Sequence, residues 1–598
     1  MAPAYPPIRD HALVGDGETA ALVGTDARVA WACLPRFDSP AVFASLLDAG
    51  RGGSWDLLVG ELTSTRQHYR PASAVLVTEL TTADGVLEVV DALLLDGPMA
   101  KGRAGAVGAF ARSLRVLRGT VEVTSRLRGR DGAAVVGATV PLPAAAGGGQ
   151  RELRWWSSPD ADGTGAGATT RRLSQGQTWS LVLSWTPDDP SWTETSLAEA
   201  VDVTTRACQD WATTVRHTGP YADLVLRSAI TLKLCDHHGS GAIVAAPTSS
   251  LPEAIGGERN WDYRFTWVRD AAYTVYALRR IGLTDEADLF LTWVLDACTR
   301  EDGRPDVLYT LDGRFPADEV VDEGLEGYRG SAPVRWGNGA SGQLQHDVYG
   351  EIIDCAWQFA RHGGTVDAER FARLEALGEL AREHWRTPDQ GIWEIRDPGR
   401  PFTYSVAMCQ VAADRLARLA EHVGRPDRVD HWRSLADEIL EHLLEEAWSE
   451  ADGCFTEHLD QPGTLDASLL ALPLRRVVAA DDPRMVATVD AVVAKLGVDS
   501  DLVLRYLHED SPDGLEGEEG AFLLCSFWWV DNLVQSGRVE EGREVFESLV
   551  SRVNHVGLLP EQIDPDSGDF LGNFPQAFSH IGLISSAVLL AEADAARS

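Results

Sequence analysis

Three stretches of this 598-residue chain set carboxyl groups among apolar or aromatic neighbours. "GIWEIR" places Glu394 beside Trp393. "LLPEQID" places Glu561 directly after an apolar run, and "GLEGEEGAF" offers Glu516, Glu518 and Glu519 ahead of an apolar segment. A ring beside a carboxyl strips water from it, which suits a proton donor. A carboxyl at the end of an apolar run is thrust toward a cavity. Two carboxyls from different loops that face each other can cleave a glycosidic bond: one protonates the departing oxygen, the other activates water or attacks the sugar carbon. Composition alone also fits surface carboxylates at Glu394 and Glu561. It equally fits an acidic helix start at 516–519, where acids complement the helix dipole.

The loops around these groups share an unusual composition. "GERNWDYRFTW", "GYRGSAPVRWGNGASGQLQHD" and "LLPEQIDPDSGDFLGNFPQ" mix Trp, Tyr or Phe with Arg, Asn, Gln and acids. Rings offer flat apolar faces, and the polar groups give directional hydrogen bonds. A sugar presents the matching surface, an apolar C–H face rimmed by hydroxyls. Long connecting loops are also where sites concentrate.

Two kinds of element must hold these loops. Residues 1–215 carry short β-branched runs such as "GVLEVVDALLL" and "TVEVTSRLRG", separated by Gly, Pro and Asp turns; they predict an antiparallel β-sandwich domain. The Gly-rich loops 144–150 and 160–170 read as hairpin connections. No G-x-G-x-x-G follows a strand there, which argues against a nucleotide loop. From about residue 216 apolar residues recur at three and four. The helical period predicts helices over 222–237, 266–281, 285–299, 345–361, 367–385, 404–422, 427–448, 483–496, 521–537, 539–553 and 575–595, with a short one near 464–472. A dozen helices joined by long loops predict an (α/α)6 barrel over 216–598.

A formal charge of -37 disfavours nucleic acid and anionic membrane surfaces as partners, whereas a neutral substrate meets no such penalty. Lysine occurs only at 101, 233 and 495, which leaves little scope for Schiff-base chemistry. No basic start followed by an apolar run and no 18-residue apolar stretch is apparent, so a cytoplasmic, membrane-free protein is expected. The eight cysteines are scattered singly and read as reduced, buried thiols. "DPDSGD" at 564–569 lacks oxygen positions of a calcium loop and reads as a turn, while "CDHH" at 235–238 reads as a helix end; no metal and no cofactor is expected.

Taken in order, "NWDYRFTWVRDAAYTVYALRRIG", "GYRGSAPVRWGNGASGQLQHDVYGEIIDC", "GIWEIRDPGRPFTYSVAMC", "TLDASLLALP", "DGLEGEEGAFLLCSFWWVDNLV" and "GLLPEQIDPDSGDFLGNFPQAFSHIGLI" resemble the blocks of glycoside hydrolase family 15. These are the glucoamylase-like and trehalase-like inverting α-glucosidases. "LVGDGETAALVGTDARVAWACLPRFDSPAVFASLLD" resembles the N-terminal sandwich of their bacterial members. The resemblance implies the two-domain fold already read from the elements, with Glu394 as general acid and Glu561 as general base. It implies that Trp267, Arg269 and Asp270 hold the terminal glucose, with Trp393, Gln345, Asp347, Glu518 and Glu519 as further pocket residues. Three positions depart from the family pattern: Val406 where Lys is usual, Gln410 where Trp is common and Trp336 where an aliphatic residue is usual. They bear on the leaving-group side.

The resemblance implies an exo-acting hydrolase releasing β-glucose, with trehalose as first substrate. A glucoamylase-like enzyme on α-1,4 or α-1,6 oligosaccharides is the alternative. An inverting phosphorylase would need an anion site in place of Glu561, and a non-catalytic sugar-binding protein would have lost one carboxyl. The linkage and the homo-oligomeric state stay open at this level.

Overall fold

The computed structural model describes residues 5–99, 105–132, 140–141, 152–158, 167–186, 191–298, 303–316, 318–396, 398–510, 514 and 517–597. The Gly-rich loop 144–150, most of the loop 160–170, and Glu516 lie outside them.

The N-terminal domain is an antiparallel network of 13 strands organised around one long strand, Ala106–Arg128. Its first half pairs with Gly85–Leu95 and Thr178–Ser184, and its second half with Ser54–Leu58 and Ala168–Ser174. One strand therefore belongs to both layers of the sandwich. The turn of direction falls at Gly119, whose φ is 74°, a region open to glycine without strain. A Cβ there would lie 2.1 Å from the carbonyl oxygen of Asp84. Tryptophans 31, 55 and 179 are fully buried.

Helix α1 (Glu194–Ala212) packs on the strand Gly85–Leu95. Sequence reading had assigned this stretch to the β domain. Its buried face, Leu197, Val201, Thr204, Cys208 and Trp211, has the helical period, but β-branched Val and Thr masked it. The capping box of Thr193 and Ser196 is the local signal that starts it.

Eleven helices follow among the described residues: α2 (Ala222–Cys235), α3 (Val268–Arg280), α4 (Asp285–Ala297), α5 (Asp347–Arg361), α6 (Ala368–His384), α7 (Thr403–His422), α8 (Pro426–Glu446), α9 (Pro483–Leu496), α10 (Leu523–Gln535), α11 (Val539–Ser551) and α12 (Ala577–Arg597). Contacts close an inner ring of α3, α5, α7, a 3-10 segment Ala467–Ala471, α10 and α12, wrapped by α2, α4, α6, α8, α9 and α11. This is the (α/α)6 plan, with its fourth inner position reduced to a 3-10 turn. The last helix, α12, is apolar and long enough to cross a membrane, yet its first half is buried inside the barrel.

Along the barrel axis, α5 presents Asp347, Glu351 and Asp354 at i, i+4 and i+7, all buried. Arg475 donates to Glu351 at 2.6 Å and to Asp354 at 3.2 Å, and Arg415 donates to Asp354 at 2.7 Å. Removing one partner from such a buried network costs about 3–5 kcal/mol, because a charge is stranded.

The two domains meet beside the loop 260–267. Arg264 clasps Asp262 at 2.6 Å and donates to the Ser39 carbonyl at 2.6 Å, while the Trp31 indole donates to Pro247 O at 2.8 Å. The sheet domain thus braces the segment that carries Trp261, Tyr263 and Trp267.

Candidate active site

A cavity opens where the inner helices α3, α10 and α12 begin. Its wall includes Trp267, Arg269 and Asp270 from the start of α3, Trp393 and Glu394 from the loop after α6, Phe522 ahead of α10, and Glu561, Gln576 and Phe578 near α12. Four guanidinium groups (Arg259, Arg269, Arg396, Arg505) face four carboxyls (Glu253, Asp270, Glu394, Glu561). The wall is formally neutral in a strongly acidic protein, which suits an uncharged polyhydroxyl ligand.

On one side stands Glu394, in a turn that begins at Gly391. Its φ of 63° places a non-glycine residue in the left-handed region, a cost of about 1–3 kcal/mol that surrounding contacts must offset. Trp267 Nε1 donates to Glu394 Oε1 at 2.6 Å and Arg269 Nη2 reaches the same oxygen at 3.3 Å. Arg269 Nη1 also donates to the Ile392 carbonyl at 2.7 Å, so one guanidinium holds both the turn and its carboxylate. With both donors on Oε1, Oε2 is the oxygen placed to carry and deliver a proton. The indole touching this carboxylate is Trp267. The chain neighbour Trp393 turns its N–H to Asp466 at 2.6 Å, with its ring against Phe522 and Trp528. Asp270 is buried beside Arg269 (3.5 Å), and burial pushes its carboxyl up to about 7 although Arg269 draws it down.

On the other side stands Glu561, immediately before the short strand Gln562–Ile563. Asn573 N donates to Oε2 at 3.2 Å, while Oε1 accepts no hydrogen bond from the protein. A Cβ at residue 572 would lie 2.2 Å from Oε2, so only glycine lets the chain pass this close. Burial pushes the Glu561 carboxyl well above the usual carboxylate range, partly offset by Arg505, by the Tyr263 hydroxyl and by Asn573 N.

Between these sides lies a cluster of which the sequence singled out only Glu519. Arg505 forms a two-pronged contact with Glu519 and donates to Glu253 Oε2 at 3.1 Å. Its guanidinium also lies 5.2 Å from the Phe522 ring. Burial raises Glu253 well above the usual range, with Arg505 opposing and Glu519 and Glu561 adding to the rise. The overlooked signal is a repeated tripeptide: Leu251-Pro252-Glu253 and Leu559-Pro560-Glu561 each end on a buried pocket carboxyl. Tyr263, Arg259 and Arg396 also line the pocket without having been singled out.

The remaining expected pocket residues lie further from the cavity. Glu518 is exposed and lies off the pocket wall, because the chain turns inward only at Glu519. Glu519 acts from behind, through Arg505. Gln345 and Asp347 sit beneath the wall rather than in it: Gln345 Oε1 is 3.5 Å from Arg269 Nη1, and Asp347 is fully buried at the start of α5. The three departures from the family pattern also lie off the wall. Val406 is buried in α7, Gln410 lines a separate groove beside Asp414 and Arg418, and Trp336 stacks on Trp31 of the sheet domain at 6.2 Å.

Among the described residues no group of three or more His, Cys, Asp or Glu side chains is arranged to hold a metal. His237, just past the end of α2, pairs with Glu18 of the sheet domain at 2.8 Å. Asp564 Oδ1 accepts the backbone N–H of Asp566 and Ser567, forming a turn. All eight cysteines are free thiols, seven of them buried.

An (α/α)6 barrel with two carboxyls from separate loops in one ring-lined, charge-balanced pocket defines a glycoside hydrolase. Residues 219–588 match the family described as Glycosyl hydrolases family 15, and residues 2–164 match the trehalase-like N-terminal domain. The chain belongs to glycosyl hydrolase family 15. It is 37% identical to a trehalase of Mycobacterium tuberculosis over 99% of this chain and 90% of that protein. It is 34% identical to a trehalase of Thermoplasma volcanium over 98% of this chain and 94% of that protein. A bacterial glucoamylase solved in complex with acarbose superposes with a TM-score of 0.68 at 13% identity, covering 100% of this chain and 98% of that one, which shows the shared two-domain fold.

Proposed function

We propose that this hydrolase cleaves trehalose into two glucose molecules by a single inverting displacement. The observation that carries the reading is that Glu394 and Glu561 line one pocket from different loops. Glu394 delivers a proton from Oε2 to the glycosidic oxygen as the bond to the anomeric carbon breaks. Glu561 Oε1 takes a proton from water as its oxygen attacks the opposite face, so an α-linkage gives β-glucose. Arg269 and Asp270 receive the outer hydroxyls of the terminal glucose, so a chain end fits there and the action is exo.

The preference for trehalose over maltooligosaccharides rests on relatives that match across almost the whole chain and bear the name trehalase. The free thiols suit a reducing compartment, and we place the reaction in the cytoplasm.

Incubation with trehalose, maltose, isomaltose and starch, with glucose release assayed, tests the substrate. Trehalose is expected to be cleaved fastest; faster release from maltose or starch would assign the glucoamylase-like alternative. Proton NMR in the first minutes should show the β-anomer of the newly released sugar.

A further inference from the structure

Glu253 has no part in the mechanism above, yet it resembles Glu561 in every local respect. Both follow a Leu-Pro dipeptide, line the same pocket and are about 1% exposed. Each has one oxygen held by the protein and a second, Oε1, buried without a hydrogen-bond partner. The backbone at 572–573 ties the two together: Gly572 N donates to Pro252 O at 2.7 Å, and Asn573 N donates to Glu561 Oε2 at 3.2 Å. Gly520 N donates to Glu253 O at 3.1 Å, fixing the residue from its other edge. Glu561 is near enough to make Glu253 harder to ionise, and both carboxyls feel Arg505.

A water in a protein site needs about 2–4 polar partners to be held in one orientation. Glu561 Oε1 alone supplies one.

We propose that Glu253 is the second water-side carboxyl of this pocket, its Oε1 hydrogen-bonding the attacking water and aiming it while Glu561 Oε1 takes the proton. The inference rests on the hydrolytic reading above and extends it. Atoms balance without a further reactant: the water oxygen bonds to the anomeric carbon, the bond to the leaving oxygen breaks, one water proton goes to Glu561, and Glu394 gives its proton to the leaving oxygen. Glu253 neither gains nor loses a proton in this step.

The alternative for the same geometry is that Glu253 binds a sugar hydroxyl. Azide separates the two, because it attacks the anomeric carbon as an anion and needs neither a base nor an aimed water. Glu253→Ala should lower kcat on trehalose about a hundredfold, the scale of a mispositioned reactant, with KM changed by about twofold or less. Sodium azide should restore turnover of α-glucosyl fluoride by Glu253→Ala and by Glu561→Ala, with β-glucosyl azide as product.

Glu253→Gln keeps the packing and a contact to Arg505. It should lose less activity than Glu253→Ala, and it carries the test if the alanine variant does not fold. Rescue of Glu561→Ala without rescue of either Glu253 variant, together with a KM raised about tenfold or more, would overturn the proposal and make Glu253 a sugar contact. If the wild-type protein cleaves neither trehalose nor α-glucosyl fluoride, the hydrolytic reading fails and this inference with it.

Discussion

The indole N–H of Trp267 lies 2.6 Å from Oε1 of Glu394. A residue at the start of an inner helix thereby fixes a carboxylate 127 positions later, in a turn of left-handed backbone. A hydrogen bond to a charged group contributes about 1.5–3 kcal/mol. Trp267→Phe keeps the ring and removes the donor. It should lower kcat about tenfold to a hundredfold, with a smaller change in KM. Steady-state kinetics on trehalose beside a thermal melt check this; a lower Tm with wild-type kcat would make the contact purely structural.

Glu394→Gln and Glu561→Gln should each lose about a hundredfold to ten-thousandfold or more in kcat while remaining folded. The two differ in what rescues them. Fluoride leaves without protonation, so α-glucosyl fluoride should partly restore Glu394→Gln and leave Glu561→Gln inactive. Rescue of Glu561→Gln in place of Glu394→Gln would show that the acid and base roles are reversed.

Glu561 must be ionised to accept a proton, and burial raises its pKa. Activity should therefore rise with pH along an acid limb well above the ordinary glutamate value of about 4.3. The Tyr263 hydroxyl favours the charged form. Tyr263→Phe removes that support, so the limb should move to higher pH, by about one unit or less. The pH dependence of kcat/KM reads the shift directly; a limb that stays in place or moves down would sever Tyr263 from Glu561.

Trp336 stacks on Trp31 across the domain boundary and donates to Asp322 at 2.9 Å. Trp336→Leu should lower the melting temperature by about one to two degrees, since an aromatic pair adds about 0.5–1.5 kcal/mol beyond its buried area. It should leave the ratio of trehalose to maltose cleavage unchanged. Altered selectivity with an unchanged melt would return this residue to the leaving-group side.

Sequence alone determined the elements and the chemistry types. The spacing of apolar residues marked the barrel helices, often to within two or three residues at their ends, because periodicity is a local property that tertiary packing reinforces. Glu394 and Glu561 were legible because each stands out beside a ring or an apolar run. Trp267, Arg269 and Asp270 were singled out by the resemblance to the family's W-x-R-D block. Only tertiary structure decided which groups share the pocket. Glu518 and Glu519 are neighbours in sequence, yet one faces solvent and the other clasps Arg505. Glu253 and Glu561 are 308 positions apart and converge on the same guanidinium. The physical reason is that a side chain's direction follows from the local backbone, whereas its partners follow from how distant segments close the barrel. Trp336 shows the same limit: its ring belongs to the domain interface, a contact that no spacing within its own loop encodes.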